Sequence, residues 1–383
     1  MNWKAKPLGS CIEVFDSCRR PVTKKDRVLG PYPYYGASGI VDYVDSYIFE
    51  GLHVLVAEDG ENLRSRKLPI AYLADGRFWV NNHAHVLRAN DENDTRFLSY
   101  MIESLDLSGF ITGSTQPKLS QAALLSIPLR LPKLAEQRRI AGVLGALDDK
   151  IESNQAVVTR AEQLIDEIAE QKATDLPTVA LSEVCSLSKS TWKPDTSSDQ
   201  TVHLYSLPAF DEGAVPEQAA VSSIKSNKTL MDRPGILVSR LNPRISRMWW
   251  VETDATPVSV CSPEFAYLTA GDMHGLACTW LAVRSPKFRG DFIDRVTGTS
   301  GSHQRVRPAD LMTIGVPDYR SLAEHTQITV LTLLHLISAR RQQSVTLAEL
   351  RSALLPELMS GRMRVDEAGC LVSEALNEEV ADV

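Results

Sequence analysis

The chain closes each of its halves with the same phrase. Gly113-Ser114-Thr115-Gln116 leads through Ile127-Pro128 into Leu134-Ala135-Glu136, where a long helical pattern begins. Gly301-Ser302-His303-Gln304 leads through Ile314 and Pro317 into Leu322-Ala323-Glu324, where another begins. From 113 to 301, and again from 134 to 322, the interval is 188 residues. That period is far too long for a solenoid and reads as a duplicated domain-plus-helix unit. Whatever the first half folds into, the second half must repeat. The product has two similar ends and suits a ligand with two ends of its own.

Composition bounds the class. The 383 residues are 43% hydrophobic and 23% charged, as expected of globular protein with room for two cores. No apolar run is long enough for a bilayer, and the start, Met1 to Pro7, lacks a secretory core. The six cysteines form no Cys-x-x-Cys pair, which argues against a zinc ribbon or disulfide frame and for reduced thiols in the cytoplasm. The net charge of −7 is uneven: residues 366–383 alone carry −6, while 224–250 carry +5 and 282–307 carry +4. Local density, not total charge, attracts phosphate. The balance permits duplex DNA as the two-ended ligand.

Periodicity divides the chain into five segments. Residues 1–132 read as a mixed α/β domain of short strands, with a helix over Arg96–Leu107, and the short strands make the class α+β. Residues 133–173 read as a long helix whose Ile140, Leu144, Leu147, Ile151, Asn154, Val158 and Ile165 alternate by four and three. That is a coiled-coil seam, and Asn154 within it can fix register. A helix folded back on its own domain is the alternative, which recurrence after the second domain disfavours. Residues 174–318 form a second α/β domain and 319–361 a second helix, with Leu331, Leu334, Val345 and Leu355 among its apolar positions. The run Arg340-Arg341-Gln342-Gln343 interrupts that seam, and Gly361 ends the helix. Residues 362–383 are expected to be a flexible acidic tail. A pseudo-two-fold repeat with an antiparallel helix pair follows.

Catalytic signals are missing. Asn242-Pro243-Arg244 lacks the second proline and aromatic of an amino-methylating DNA enzyme, and there is no Walker A loop. His83 and His85 could share one strand face, but no third metal ligand follows at a telling distance. No catalytic or metal site is expected. Contact candidates are stronger. Arg240, Asn242, Arg244 and Arg247 leave an apolar strand together, and Arg and Asn can read guanine and adenine. A solvated basic turn is the plain alternative. The loops Gly113, Ser114, Gln116, Lys118 and Gly301, Ser302, His303, Gln304, Arg305 offer small residues and donors to phosphate, or else orient the helix starts. Tyr34, Tyr35 and Ser38 lie in a turn-forming stretch equally suited to packing and to contact, and Asn81, Asn82 and His83 form a polar loop that packs or touches ligand.

With these residues in view, the chain resembles the specificity subunits of type I restriction–modification systems over residues 1–361. The matching phrases are residues 34–39, Phe49–Gly51, Ala57–Gly60, Phe78–His85 and 113–116, then 235–244, Ser262–Phe265 and Leu354–Gly361. The resemblance implies a non-catalytic subunit with two target-recognition domains. An antiparallel helix pair would hold them apart and dock DNA methyltransferase subunits, and restriction or translocase subunits where these exist. S-adenosylmethionine, ATP and Mg²⁺ would then belong to the partners. A helix of about 35 residues measures ~50 Å, roughly 15 base pairs of duplex. The second domain lacks the Tyr-Tyr-Gly-Ala-Ser-Gly and Asn-Asn-His-Ala-His phrases, so the two domains read as unlike and the double-stranded target as asymmetric. A coiled-coil adaptor whose ends bind proteins is the competing reading.

Overall fold

The computed structural model describes residues 4–195, 200–253, 256–297 and 304–377. Contacts divide the chain into one unit of residues 1–149 with 347–383 and a second of residues 150–346. Each unit holds one α/β fold and half of each long helix.

In the first unit, β1 (Lys4–Pro7) precedes β2 (Ile12–Val14), β3 (Tyr32–Gly36), β4 (Gly39–Val44), β5 (Phe49–Glu50) and β6 (His53–Ala57). After a short helix, α1 (Asn62–Ser65), come β7 (Ala71–Ala74), β8 (Arg77–Val80) and β9 (Ala84–Ala89). Two four-stranded sheets result, in the orders β2-β9-β6-β7 and β4-β3-β8-β5. Leu55 and Val86 of the first sheet meet Phe49, Phe78 and Val80 of the second in a dry layer. The helix α2 (Thr95–Ser104) packs on β6 and β7. Asp94 caps it, accepting from Phe97 N at 2.9 Å. A short α3 (Gln121–Ser126) and β10 (Pro128–Leu131) return the chain to pair with β1. Then α4 runs unbroken over Leu134–Ala173.

The second unit repeats this plan. It contains β11 (Thr178–Ala180), α5 (Leu181–Val184), β12 (Ser186–Leu187), β13 (Thr191–Trp192), β14 (Thr201–Tyr205), α6 (Leu207–Asp211), β15 (Glu217–Ala220) and β16 (Lys228–Met231). There follow β17 (Gly235–Ser239), β18 (Met248–Val251), β19 (Ser259–Cys261), β20 (Phe265–Thr269), α7 (Met273–Arg284), α8 (Pro286–Asp294), α9 (Pro308–Met312) and β21 (Gly315–Pro317). Its main sheet has the order β12-β20-β17-β18, matching β2-β9-β6-β7 strand for strand. The second sheet, β13-β16-β19-β14-β15, again has a parallel pair at its heart, β14 with β19 as β3 with β8. Strand alternation sorts the core: Leu237 faces the neighbouring sheet, whereas Ile236 and Val238 face α7 and the long helices.

The helix α10 spans Glu324–Ser360 and ends at Gly361, whose φ is +71°. The Arg340–Gln343 run does not break it. In the first unit Asp148 pairs with Arg351, Nε to Oδ1 at 2.7 Å, with the N–H off the line, so this is an ion pair rather than a hydrogen bond. In the second, buried Asn154 donates to Gln343 Oε1 at 2.7 Å, and Arg341 reaches Glu162 at 2.7 Å, so the segments run antiparallel. On α4, Ile140, Leu144, Leu147, Val158 and Ile165 are buried and Ile151 is partly so.

The seam of α10 departs from expectation. Val330, Leu334, Ile337, Leu347, Leu354 and Leu358 are buried, whereas Leu331, Val345 and Leu355 are only partly covered. Arg341, Ser344 and Arg351 occupy the seam positions between them and meet polar partners on α4, which is why an apolar pattern missed the register. The expected flexible tail also needs correction. Residues Val365–Asn377 form α11, with Val365, Ala368 and Val372 buried and Asp366 paired to Arg139 of α4. The acidic side chains lie on the outer face, so composition hid an amphipathic helix. No helix among the described residues is long and apolar enough to cross a membrane.

Candidate nucleic-acid interface

The three loops singled out in the first half, with residues 57–60, come together at one end of its sheets. Because β3 and β8 are parallel, with Tyr34 beside Trp79 and Tyr35 beside Val80, the residues after each strand emerge side by side. Asn81 N donates to Tyr35 O at 3.0 Å. Next, Glu58 N donates to His83 O at 2.9 Å, and Gly60 N to Pro117 O at 3.1 Å. Thr112 and Lys118 exchange two backbone bonds of 2.8 Å and close an arch with Gly113, Ser114 and Gln116 at its exposed tip. Gly113 has φ +85°, and a Cβ there would stand 2.2 Å from Gln116 O. Only glycine closes this arch. Arg64 steadies the tip through the carbonyls of Gly113 and Ser114.

A charged network underlies the loops. Arg19 donates to Glu58 at 2.7 Å and to Ala84 O at 2.8 Å, while Lys118 lies 3.3 Å from the other Glu58 oxygen. Burial opposes the charge on Glu58, yet the hydrogen bond from Arg19 and the nearby positive groups hold its carboxyl below the usual range. His83 stays exposed and pairs with Asp59 at 2.9 Å. His85 is buried, with Nδ1 2.6 Å from Asp16 and Nε2 2.8 Å from Leu119 O. The two histidines therefore face different partners, and the described residues contain no cluster able to hold a metal.

Tyr34 is not a contact residue. It is 1% exposed, its hydroxyl accepts from Val22 N at 3.0 Å, and its ring lies under Arg27. Strand alternation puts one of the two adjacent tyrosines inside, and Tyr35 is the half-buried one, edge-on to Phe78. Ser38 sits half-buried in the β3–β4 turn, and Asn82 is exposed beside His83.

The second domain reproduces this wiring with other side chains. Ser262 N donates to Tyr205 O, as Asn81 does to Tyr35; Arg240 N donates to Glu264 O, as Glu58 does to His83. Thr297 and Arg305 exchange bonds of 2.9 and 3.0 Å, the counterpart of Thr112 and Lys118. Asn242 N donates to Gln304 O, as Gly60 does to Pro117, and Asn242 also takes a positive φ, +49°. The second domain thus does have counterparts of the Tyr-Tyr-Gly and Asn-Asn-His phrases: Tyr205 and Ser262-Pro263-Glu264. Side chains differ while backbone bonds persist, so letters alone concealed the match.

The arginines divide by role. Arg240 is half-buried, its fork bracketing the carbonyls of Pro263 and Val306, and burial lowers its pKa. Arg247 is held bidentately by Asp211 at 2.6 and 2.8 Å. Arg305 is exposed and pairs with Glu264 at 2.7 Å. Arg244 is exposed at the loop tip, next to Ile245. Gly301, Ser302 and His303 lie outside the described residues.

Known proteins resemble this chain in sequence and in fold. Residues 1–163 match the type I restriction modification DNA specificity domain. The putative type I restriction enzyme specificity subunit S.HindORF215P of Haemophilus influenzae is 38% identical over 148 residues, 38% of this chain and 37% of that one. The first 163 of this chain's 383 residues are thus similar to this specificity domain family. The type I restriction enzyme EcoprrI specificity subunit of Escherichia coli is 27% identical over 120 residues, 30% of this chain and 28% of its own. The chain thus matches only 37% and 28% of the length of these curated relatives. The crystal structure of a type I system S subunit from M. genitalium shares the fold, with TM-score 0.60 over 94% of this chain and 96% of that one at 14% identity.

The residues that sequence reasoning passed over are the acids. Asp16, Glu58 and Asp59 in the first domain, and Asp211 and Glu264 in the second, orient the cations and His83. The signal was present in Ala57-Glu58-Asp59-Gly60 and Ser262-Pro263-Glu264, where carboxylates stand beside loop-forming residues. A search for phosphate-binding charge overlooks them. Arg19 and Arg64, far away in sequence, carried no signal at all.

Proposed function

We propose that this chain is the non-catalytic, sequence-reading subunit of a DNA-modifying complex. Residues 1–132 and 174–318 each read one part of a split, asymmetric duplex target. The helices over 133–173 and 319–361 set their spacing and dock adenine methyltransferase subunits, with restriction subunits where present. S-adenosylmethionine, ATP and Mg²⁺ act in those partners, and the complex works in the cytoplasm.

The observation that carries this reading is the pair of loop constellations held by matching backbone hydrogen bonds with unlike side chains. Contacts to bases need donors and acceptors held in fixed directions, and the arch-and-turn wiring fixes them in both domains. In the first, Tyr35, Ser38, Asn81, Asn82, His83, Ser114, Gln116 and Lys118 surround the arch. In the second, Arg244, Gln304 and Arg305 do so, with Arg240, Asn242 and Arg247 shaping the loop. Unlike side chains imply unlike half-sites. Methyl-adenine mapping of cells with and without the gene tests the proposal: a split motif should vanish on deletion. An unchanged methylation pattern, with partner binding that ignores salt, favours a protein adaptor instead.

A further inference from the structure

The segment before β3 holds a feature that the loop constellation does not use. Residues 19–30 form a strap across the second sheet of the first domain. Trp79 Nε1 donates to Arg20 O at 2.5 Å, Arg27 reaches Asp42 at 3.0 Å, and Asp45 N donates to Val28 O at 3.0 Å. The strap is pressed close: a Cβ on Gly30 would lie 2.3 Å from Asp45 Cα. Among the described residues, no hydrogen bond or ion pair engages the exposed side chains of Arg20, Lys24 or Lys25.

The sheet that the strap crosses also has an exposed apolar edge. The edge strand β4 exposes Ile40, Val41 and Tyr43 by 47%, 54% and 47%, and the strap adds Val28 and Leu29 at 61% and 82%. So many apolar side chains on one edge call for a partner. Position selects it. The β3–β4 turn is one limb of the loop constellation, since Tyr72 donates to Gly36 O and Asn81 packs against Gly36. The apolar and cationic strip therefore starts where the reading loops end. Cations for phosphates, together with aliphatic groups for sugars, match one continuing duplex.

We propose that the strap and the β4 edge form a second DNA contact, gripping the duplex beside the half-site read by the first domain. Arg20, Lys24 and Lys25 neutralise phosphates, and Ile40 and Val41 lie against the groove wall. This rests on the first domain's reading DNA. The contact adds affinity without choosing bases.

The test uses the full chain with its methyltransferase subunits and a duplex carrying the motif found by methylation mapping. The triple variant Arg20→Ala, Lys24→Ala, Lys25→Ala should lower the slope of log affinity against log salt by about 3, roughly one per cation. Affinity should fall roughly tenfold or more while the methylated motif stays the same. Lys24→Arg with Lys25→Arg should keep the wild-type slope, which separates charge loss from misfolding. An unchanged slope in the triple variant overturns the proposal. So does loss of the methyltransferase subunit with DNA affinity intact, which makes the strip a protein-docking surface. If the wild-type complex ignores its motif, the broader reading falls too; if it binds and only the variant's slope fails to move, this inference alone falls.

Discussion

At Glu58 of the first domain and Arg240 of the second, one backbone position carries opposite charges. Glu58 gathers Arg19 and Lys118 around a carboxylate, whereas Arg240 turns its fork inward onto two carbonyls. One step along the wiring, His83 faces Asp59 while its counterpart Glu264 faces Arg305. Both domains nonetheless close the same arch, between Thr112 and Lys118 and between Thr297 and Arg305. Backbone hydrogen bonds hold the loops in place and do not depend on side-chain identity. The side chains are thereby released to specify different ligands on one scaffold.

The comparison can be broken most severely at the arch. Gly113→Val places a branched side chain at φ +85° with a Cβ 2.2 Å from Gln116 O. Strain of ~1–3 kcal/mol or an opened arch follows, and affinity for the first half-site should fall roughly 100-fold in equilibrium binding. Asn242→Gly, at a position already left-handed, should shift stability by under about 0.5 kcal/mol. Equal damage from both would mean that the shared wiring is incidental.

A smaller effect sharpens the charge inversion. Glu58→Gln removes the carboxylate between Arg19 and Lys118 while preserving shape. Base preference in the first half-site should relax by about 1–3 kcal/mol, with the second half of the methylated motif unaltered. A change in the second half would contradict the separation of the two readers.

Acid should distinguish the domains by the least. Burial works against the charge on Asp16, but hydrogen bonds from His85 and Val86 N and the Arg19 charge hold its carboxyl below the ordinary range. A carboxyl lowered by folding stabilises above its unfolded pKa, and that stability disappears as pH falls through the folded value. The first domain should therefore lose stability as pH falls below ~4, the ordinary carboxylate range. Asp16→Asn should flatten that loss in melting curves taken across pH. The second domain has Ala266 at the position of His85, so its transition should not respond to the substitution.

How much of this was legible depended on whether side chains or backbone carried the information. The α4 seam, from Ile140 to Ile165, and the stop at Gly361 follow from apolar spacing and one glycine. The duplicated glycine loop was legible because Gly113 is sterically required. The α10 register was not, because Arg341, Ser344 and Arg351 stand where apolar residues were sought. Nor was α11, whose three buried residues are matched by three acids in a segment with no Lys or Arg. Tyr34 and Tyr35 looked alike until strand alternation turned one inward. The equivalence of Asn81 with Ser262 rests on a main-chain bond, which leaves no trace in the letters.

Exchange of residues 1–132 for the corresponding domain of a type I specificity subunit, followed by genome-wide methyl-adenine mapping, tests the central claim most directly. The account predicts a new sequence in one half of the split motif, with the other half and the spacing retained. A motif altered in both halves, or in neither, would contradict it.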